Sequence, residues 1–176
     1  MHVPVLLRET LEFLDVRPDG IYIDATLGGG GHAEEILRRL GKGRLLGVDR
    51  DPAALAAARE RLKEFGERLT VLEGNFADID ALHAASGLPP ADGLLADLGL
   101  SSMQLEDASR GFSFTVPGPL DMRMDPHTRV TAAEIVNRTP ERALADLVFK
   151  LGEERHSRRI ARAIIKARPI RSTTEL

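Results

Sequence analysis

The feature that most constrains this chain is an alternation of short apolar runs with helical patterns over its first hundred residues. Each run is rich in Ile, Leu and Val and is followed by turn residues, which is typical of strands buried in a parallel sheet. Four runs are predicted as strands: Ile21–Leu27, Arg44–Asp49, Leu69–Glu73 and Asp92–Leu98. Because parallel strands need crossover helices, the alternation predicts a doubly wound α/β sheet with right-handed connections.

Two helices are predicted between the first three strands. Pro52–Phe65 follows Asp51, which can cap it, and ends before Gly66. His32–Leu40 begins after a run of glycines and stops before Gly41. The predicted order is therefore strand, glycine-rich turn, helix, strand, helix, strand.

The pattern changes after Leu98. Residues 110–127 contain three prolines, two glycines and two methionines without helical or strand periodicity, which indicates a functional loop. Three helices are predicted beyond it: Ala132–Asn137, Pro140–Leu151 and Glu154–Ala167. We expect two parts, residues 1–105 with the parallel sheet and residues 106–176 with the loop and the start of a helical insertion subdomain.

Ser172 and Glu175 stand three residues apart, as in the capping box of a new helix, and the sequence stops one residue later. Four strands are also few for a sheet of this kind. We therefore expect the chain to be a truncated part of a longer protein, with an incomplete sheet.

Composition excludes several classes of protein. The chain of 176 residues has no cysteine, so disulfides, thiolate metal sites and cysteine nucleophiles are excluded. No apolar run approaches the ~20 residues of a membrane span, and the expected location is the cytoplasm. Residues 1–105 hold 11 basic and 17 acidic residues, net −6, whereas residues 106–176 hold 13 and 10, net +3.

Four successive glycines, Gly28–Gly31, follow the first predicted strand, where a doubly wound sheet opens a crevice for ligands. Without β-carbons they let a cofactor approach the backbone, although a sharp structural turn is the alternative. Asp49 ends the second strand 19 residues after Gly30, where a carboxylate can accept both hydroxyls of a ribose. Together these features indicate a cofactor that contains a nucleoside.

The glycine spacing argues against a dinucleotide. In a G-x-G-x-x-G motif read from Gly28 or Gly29, the last position is Ala33 or Glu34. Asp24 and Asp49 would repel a pyrophosphate but suit a cationic cofactor such as S-adenosylmethionine. Asp24 is alternatively a capping or turn residue.

Asp97 ends the fourth predicted strand beside the same crevice. A carboxylate there, with nearby carbonyls, can hold the hydrogens of an exocyclic base amine and accept a proton. A cap on the following helix is the alternative role. Ser101 and Ser102 have no activating histidine nearby in the sequence, which argues against a serine hydrolase.

Several blocks then carry a family resemblance along nearly the whole chain. They are His2–Leu7, Gly28–His32, Gly47–Pro52, Asp97–Ser102 with Gln104, Arg110–Phe114, Pro119–Asp125, Gly152–Arg155 and Arg159–Ile164. In these blocks the chain resembles the MraW/RsmH family of S-adenosylmethionine-dependent methyltransferases. That family modifies the N4 amine of one cytosine in bacterial small-subunit (16S) ribosomal RNA.

The resemblance implies a Rossmann-like class I methyltransferase fold, with the S-adenosylmethionine domain in residues 1–105. Asp97 is predicted as the catalytic residue from its position after the fourth strand. The resemblance also implies a set of cofactor contacts: Gly30, Gly31, His32, Asp49, Phe76, Asp97 and Gln104. Phe76 would cover the adenine, although core packing is an alternative for a single Phe. Met103 and Glu106 depart from the family's usual Pro and Asp, and the family continues beyond this chain.

Five basic residues near the end of the chain recur at helical spacing: Arg155, Arg158, Arg159, Arg162 and Lys166. They predict a cationic helix side that either binds RNA phosphates or is simply solvated. Phe112 and Phe114 could grip an extruded base or anchor the loop. Asp121–Asp125 has no histidine at ligand spacing, so no metal site is predicted.

The expected substrate partner is 16S ribosomal RNA or the small ribosomal subunit, with no membrane and no metal. Two alternatives to the methyltransferase remain. One is a noncatalytic module that binds RNA or the cofactor. The other is a nicotinamide (NAD) oxidoreductase, which the glycine spacing disfavours.

Overall fold

The structure, a computed structural model, describes residues 4–176. His2 and Val3 of the first family block therefore lie outside the described residues. The chain divides into two compact units, of which the first ends at Ser101 and the second is Ser102–Leu176. Among the described residues, no helix is both long and apolar enough to cross a membrane.

The first unit is built on one four-stranded sheet. Its strands are β1 (Ile21–Asp24), β2 (Arg44–Asp49), β3 (Leu69–Glu73) and β4 (Gly93–Leu95). They lie in the order β3-β2-β1-β4, and every pair is parallel. The predicted parallel α/β sheet is confirmed, with β2 and β3 at their predicted limits.

β1 and β4 are shorter than predicted. β1 ends because the carboxylate of Asp24 accepts the backbone N–H of Thr26, a side-chain turn that diverts the chain. Beyond β4, the N–H of Asp97 donates to the hydroxyl of Thr26 rather than to a strand. The residues predicted as the strand ends therefore form loops at the carboxyl edge of the sheet.

Helices of the first unit are α1 (Leu7–Leu14), α2 (Gly31–Arg39), α3 (Pro52–Arg61) and α4 (Ile79–Ser86). The Asp51 side chain caps α3, as predicted. The prediction that this helix reaches Phe65 was wrong, because the chain continues as a 3-10 segment, Lys63–Arg68, in which Gly66 is left-handed with φ 54°. α1 and α4 had not been predicted.

The strands pack apolar residues on both sides of the sheet. Tyr22 and Leu45 belong to one buried cluster, with Ile36 and Leu37 of α2. Ile23 and Leu46, one position along each strand, belong to a second buried cluster. Since side chains alternate along a strand, Asp24 lies on the Tyr22 side of the sheet.

The second unit contains α5 (Ser102–Glu106), α6 (Ala132–Arg138), α7 (Glu141–Gly152) and α8 (Ser157–Ala167). The last three were predicted within one to three residues. α8 begins later than its predicted start at Glu154, because the Glu154 carboxylate accepts the His156 N–H and holds a turn. One small core joins Leu120 of the loop to Val136 and Ile170.

One of the two hydrogen bonds of the predicted capping box is present near the end of the described chain, and no helix follows it there. The N–H of Glu175 donates to Ser172 Oγ at 3.3 Å, and the N–H of Arg171 donates to Glu175 Oε2 at 2.7 Å. These residues form a hydrogen-bonded turn in the described chain.

Candidate functional site

The glycine run forms the loop between β1 and α2. Gly30 has φ 80°, a left-handed conformation that favours glycine, and a β-carbon there would lie 2.9 Å from Leu62 Cδ1. A β-carbon on Gly31 would lie 2.6 Å from Pro4 Cγ. Backbone conformation and close packing therefore both favour glycine at position 30, and close packing favours it at position 31.

Asp49 is held directly against this loop. Its Oδ2 accepts the backbone N–H of Gly28 at 2.8 Å, and its Oδ1 accepts that of Asp51 at 2.9 Å. Each carboxylate oxygen keeps a further lone pair for a ligand hydroxyl. The structure thus brings together the glycine loop and the carboxylate that the sequence had paired.

Three carboxylates lie at the carboxyl ends of three neighbouring strands. Asp24 is opposite Gly47 of β2 and Leu95 of β4. Asp49 lies two residues beyond Gly47 on β2, so the pleat directs it to the same side of the sheet as Asp24, whereas Asp97 follows β4 in a loop held by the Thr26 hydroxyl. The site therefore concentrates negative charge beside the glycine loop.

Asp24 is the buried member of this set, with 1% of its surface exposed. Burial, followed by the negative charges of Asp49 and Asp97, raises the pKa of Asp24 to about 7, against the opposing hydrogen bond from Thr26. Its carboxylate accepts the hydrogen bond of a turn, which is the alternative role predicted from the sequence. The same carboxylate also lies close to Asp49 and Asp97.

Asp97 lies beside His32, the second residue of α2. The side chain of Asp97 is 51% exposed, and its Oδ2 lies 3.9 Å from His32 Nδ1. The buried His32 ring places Nε2 3.0 Å from the carbonyl oxygen of Val5. Because a carbonyl can only accept, Nε2 donates to Val5, and Nδ1 is the ring nitrogen that faces Asp97.

Sequence reasoning missed Thr26, which connects two of these acids. Its N–H donates to Asp24 Oδ1 at 3.1 Å, and its Oγ1 accepts the N–H of Asp97 at 2.7 Å. The available signal was an Asp-x-Thr sequence directly after a buried strand. Thr26 fixes the ends of β1 and β4 relative to each other.

Phe76 follows β3 and opens a short 3-10 turn, Phe76–Asp78, which Asn75 caps through the N–H of Ala77. It is 44% exposed and belongs to neither buried cluster of this unit, so the core-packing alternative was wrong. The N–H of Gly74 donates to the carbonyl of Asp49 at 2.9 Å, which ties the ends of β2 and β3 together. Phe76 is free to cover a ligand.

Gln104 lies on α5 in the second unit and is buried. It is a polar side chain with hydrogen-bonding or electrostatic contacts of its own in the structure. The cofactor contact that the family resemblance implies for Gln104 stays a prediction.

The loop over residues 110–127 is held by its arginines. Arg110 donates to the carbonyls of Arg123 and Met124 at 2.9 and 2.8 Å, and Arg123 binds the carboxylate of Asp121 through two nitrogens. This ion pair lowers the pKa of Asp121. Asp121 thus stabilises the loop through its ion pair with Arg123.

The two phenylalanines of this loop differ in exposure. Phe112 is half-buried, whereas Phe114 is 85% exposed. The anchoring alternative therefore suits Phe112 better than Phe114, whose ring is available to a partner.

The predicted cationic surface lies mainly on α8. Arg158, Arg159, Arg162 and Lys166 are exposed along that helix, but Arg155 precedes it and lies in the turn, so its placement on the helix was wrong. Arg162 Nε lies 3.6 Å from Glu141 Oε1 of α7. We call these five exposed side chains the basic surface.

This geometry defines a parallel α/β domain with a glycine loop after β1, a carboxylate at the end of β2 and a further acid after β4, the arrangement of a class I methyltransferase. The model of the MraW methylase family matches residues 1–176. The chain belongs to the MraW methylase family, as the sequence blocks had predicted. Membership confirms the methyltransferase class and, with it, S-adenosylmethionine as the methyl donor of that class.

Two relatives show the degree of similarity. The ribosomal RNA small subunit methyltransferase H of Koribacter versatilis is 54% identical over 183 residues, covering 99% of this chain and 58% of that protein. The protein of the same name from Solibacter usitatus is 49% identical over 176 residues, covering 100% and 62%. The chain thus spans about three fifths of the length of these relatives.

Among solved structures, a putative rRNA-methylase from Clostridium thermocellum is similar over 46% of both chains. The identity is 21% and the TM-score 0.41. The family membership and the parallel sheet support the methyltransferase fold class independently of this solved structure.

Proposed function

We propose that the whole protein transfers a methyl group from S-adenosylmethionine to the N4 amine of a cytidine in 16S ribosomal RNA. The hydrogen bond between Gly28 and Asp49 carries this proposal, because it fixes a ribose-type carboxylate against a backbone open to a cofactor. The names of the relatives support ribosomal RNA of the small subunit as the substrate class. Action on that RNA would occur in the cytoplasm.

Residues 1–105 are proposed as the donor-binding domain. Asp49 would accept the ribose hydroxyls, Phe76 would cover the adenine, and Gly30 and Gly31 would let the donor approach the backbone. The bound donor supplies an electrophilic methyl group on a positively charged sulfur. The three acids at the strand ends favour such a cation over a pyrophosphate, which disfavours a nicotinamide cofactor.

Asp97 is proposed as the catalytic residue. Its exposed carboxylate can accept hydrogen bonds from the amine of the base, which favours a lone pair on nitrogen, and can then take up the proton that methylation releases. His32 Nδ1 lies 3.9 Å from this carboxylate, beyond hydrogen-bond distance. For methyl transfer the chain would supply two things: placement of the base amine against the donor, and a proton acceptor.

Residues 106–176 are proposed as the substrate loop and the start of a helical subdomain. The basic surface would contact RNA phosphates, which position the nucleic acid without reading its sequence. Phe114 would stack on an unpaired base, with Phe112 supporting the loop. Exposure of Phe114 and of the five cations supports these roles.

Mass spectrometry of 16S ribosomal RNA tests the proposal. RNA from cells lacking the modification is incubated with the whole protein and S-adenosylmethionine, and nuclease fragments are weighed and sequenced. One added methyl on a cytidine N4 is expected, and the Asp97→Ala variant should add none. Donor binding without methylation of any RNA would instead favour the noncatalytic binding module.

A further inference from the structure

Asp24 has a property that the proposed methyl transfer does not use. Its carboxyl is almost completely buried, although it lies at the ligand-binding edge of the sheet. Within residues 4–176, the hydrogen bonds to this carboxyl come from Thr26. A buried carboxylate with so few donors is costly unless a cation pairs with it.

The groups around Asp24 are acidic on both neighbouring strands. Asp49 approaches from the end of β2, and Asp97 from the residues after β4. From α2 the facing titratable group is His32, which lies beside Asp97 and donates through Nε2 to Val5. Protonation of Asp24, which the raised pKa favours below about pH 7, relieves the repulsion among the three acids.

The methyl donor and its product differ in charge at the reacting atom. The sulfur of S-adenosylmethionine is a positively charged sulfonium, whereas the sulfur of S-adenosylhomocysteine is a neutral thioether. A cation beside the three acids stabilises the charged form of Asp24, and a neutral ligand does not. Donor and product should therefore bind different protonation states of the same pocket.

We propose that Asp24 selects the cationic methyl donor over the neutral product, releasing its proton to solvent when the donor binds and keeping it when the product binds. This inference rests on the proposed function, because it assumes that the donor occupies this site. Its consequence is weaker inhibition by the product as the pH rises towards 8.

The size of the effect follows from linkage. The pKa of Asp24 in the free site is about 7, mainly because of burial. If the donor requires the ionised form and the product the protonated form, the donor-to-product affinity ratio rises by up to about a hundredfold between pH 6 and pH 8.

Calorimetry on the 176-residue chain tests this with two probes, S-adenosylmethionine and S-adenosylhomocysteine, at pH 6, 7 and 8. Three chains are compared: wild type, Asp24→Asn, and the control Asp80→Asn at an exposed position on α4. The donor-to-product affinity ratio should rise with pH in wild type and control and stay flat in Asp24→Asn. The ligands' own amines also titrate in this pH range, but they change the affinity ratio equally in all three chains, so the comparison between chains is unaffected.

Proton release gives a second readout that needs no variant. Repeating the wild-type titration at pH 7 in buffers of different ionisation enthalpy counts the protons released on binding. We expect binding of the donor to release more protons than binding of the product, with a difference of a substantial fraction of one proton. This count keeps the proposal testable even if Asp24→Asn does not fold.

The outcomes separate this inference from the proposed function. If both ligands bind the wild-type chain with the same pH dependence and equal proton release, the role of Asp24 is overturned and the cofactor site stands. If neither ligand binds this chain or the whole protein, the proposed function fails, and this inference fails with it.

Discussion

The backbone N–H of Gly28 donates to Oδ2 of Asp49 at 2.8 Å, joining the loop after β1 to the end of β2. The two residues are 21 positions apart in the sequence, and the parallel pairing of β1 with β2 brings them together. The hydrogen bond orients the carboxylate while leaving its other lone pairs available. This relationship underlies the proposed cofactor site.

Replacing Asp49 with Ala should weaken S-adenosylmethionine binding by about 1.5–3 kcal/mol, roughly ten- to a hundredfold. The variant removes the acceptor for the ribose hydroxyls and also frees the Gly28 N–H. Calorimetry measures the affinity, with Asp80→Ala as a control at an exposed site. Unchanged affinity in a folded Asp49→Ala chain would reject the ribose role.

Replacing Asp97 with Ala in the whole protein should reduce methyl incorporation by at least about a hundredfold, because the variant has no proton acceptor at this position. Its side chain is half exposed, so the melting temperature should change little. Asp97→Asn separates the two proposed tasks, since it keeps a hydrogen-bond acceptor but cannot take up the proton. Labelled-methyl assays showing near-normal turnover in Asp97→Ala would remove this residue from the mechanism.

Reversing the charges of Arg158, Arg159 and Arg162 to Glu should lower affinity for 16S ribosomal RNA and flatten its dependence on salt concentration. The slope falls because a protein that neutralises fewer phosphates releases fewer counterions from the RNA. A matched triple reversal of the exposed Lys42, Arg44 and Arg59 in the first unit serves as the control. Equal salt slopes for the α8 variant and wild type would show that the basic surface is merely solvated.

Asp24→Asn should stabilise the ligand-free chain at pH 8 but leave it nearly unchanged at pH 4. Burial raises the pKa of Asp24 to about 7, above its unfolded value of roughly 3.9. Between these two pH values the unfolded chain gives up the proton more readily than the folded chain, so the wild-type chain loses stability as the pH rises from one to the other. The difference in unfolding free energy at pH 8 is on the order of 4 kcal/mol at most. Urea unfolding at several pH values measures it, and a difference independent of pH would contradict the assignment.

Local sequence signals predicted much of the fold because they act over short distances. β2 and β3 were placed at their observed limits, since each is an apolar run bounded by charged residues. α1 had no comparable signal, as Leu6 at its start is left-handed with φ 51° and offers no side-chain cap. α4 was missed although Asp78 at its start is a residue type that caps helices, and in the structure that side chain makes no capping hydrogen bond.

The site was predicted less completely, because much of it depends on which strands are neighbours. The sequence paired the glycine loop with Asp49, since both follow consecutive strands of one βαβ unit. The connection of Asp24 and Asp97 through Thr26 requires that β1 lies beside β4, a pairing across about 70 residues that no local pattern encodes. The same pairing determines the charge that surrounds Asp24.

A crystal structure of this chain grown or soaked with S-adenosylmethionine would show whether the donor occupies the glycine loop beside Asp49. We predict density for the ligand along Gly28–Gly31, with both ribose hydroxyls within about 3 Å of the Asp49 carboxylate and the sulfur on the side of Asp24. Ligand density in another part of the molecule, or a ribose turned away from Asp49, would contradict the account.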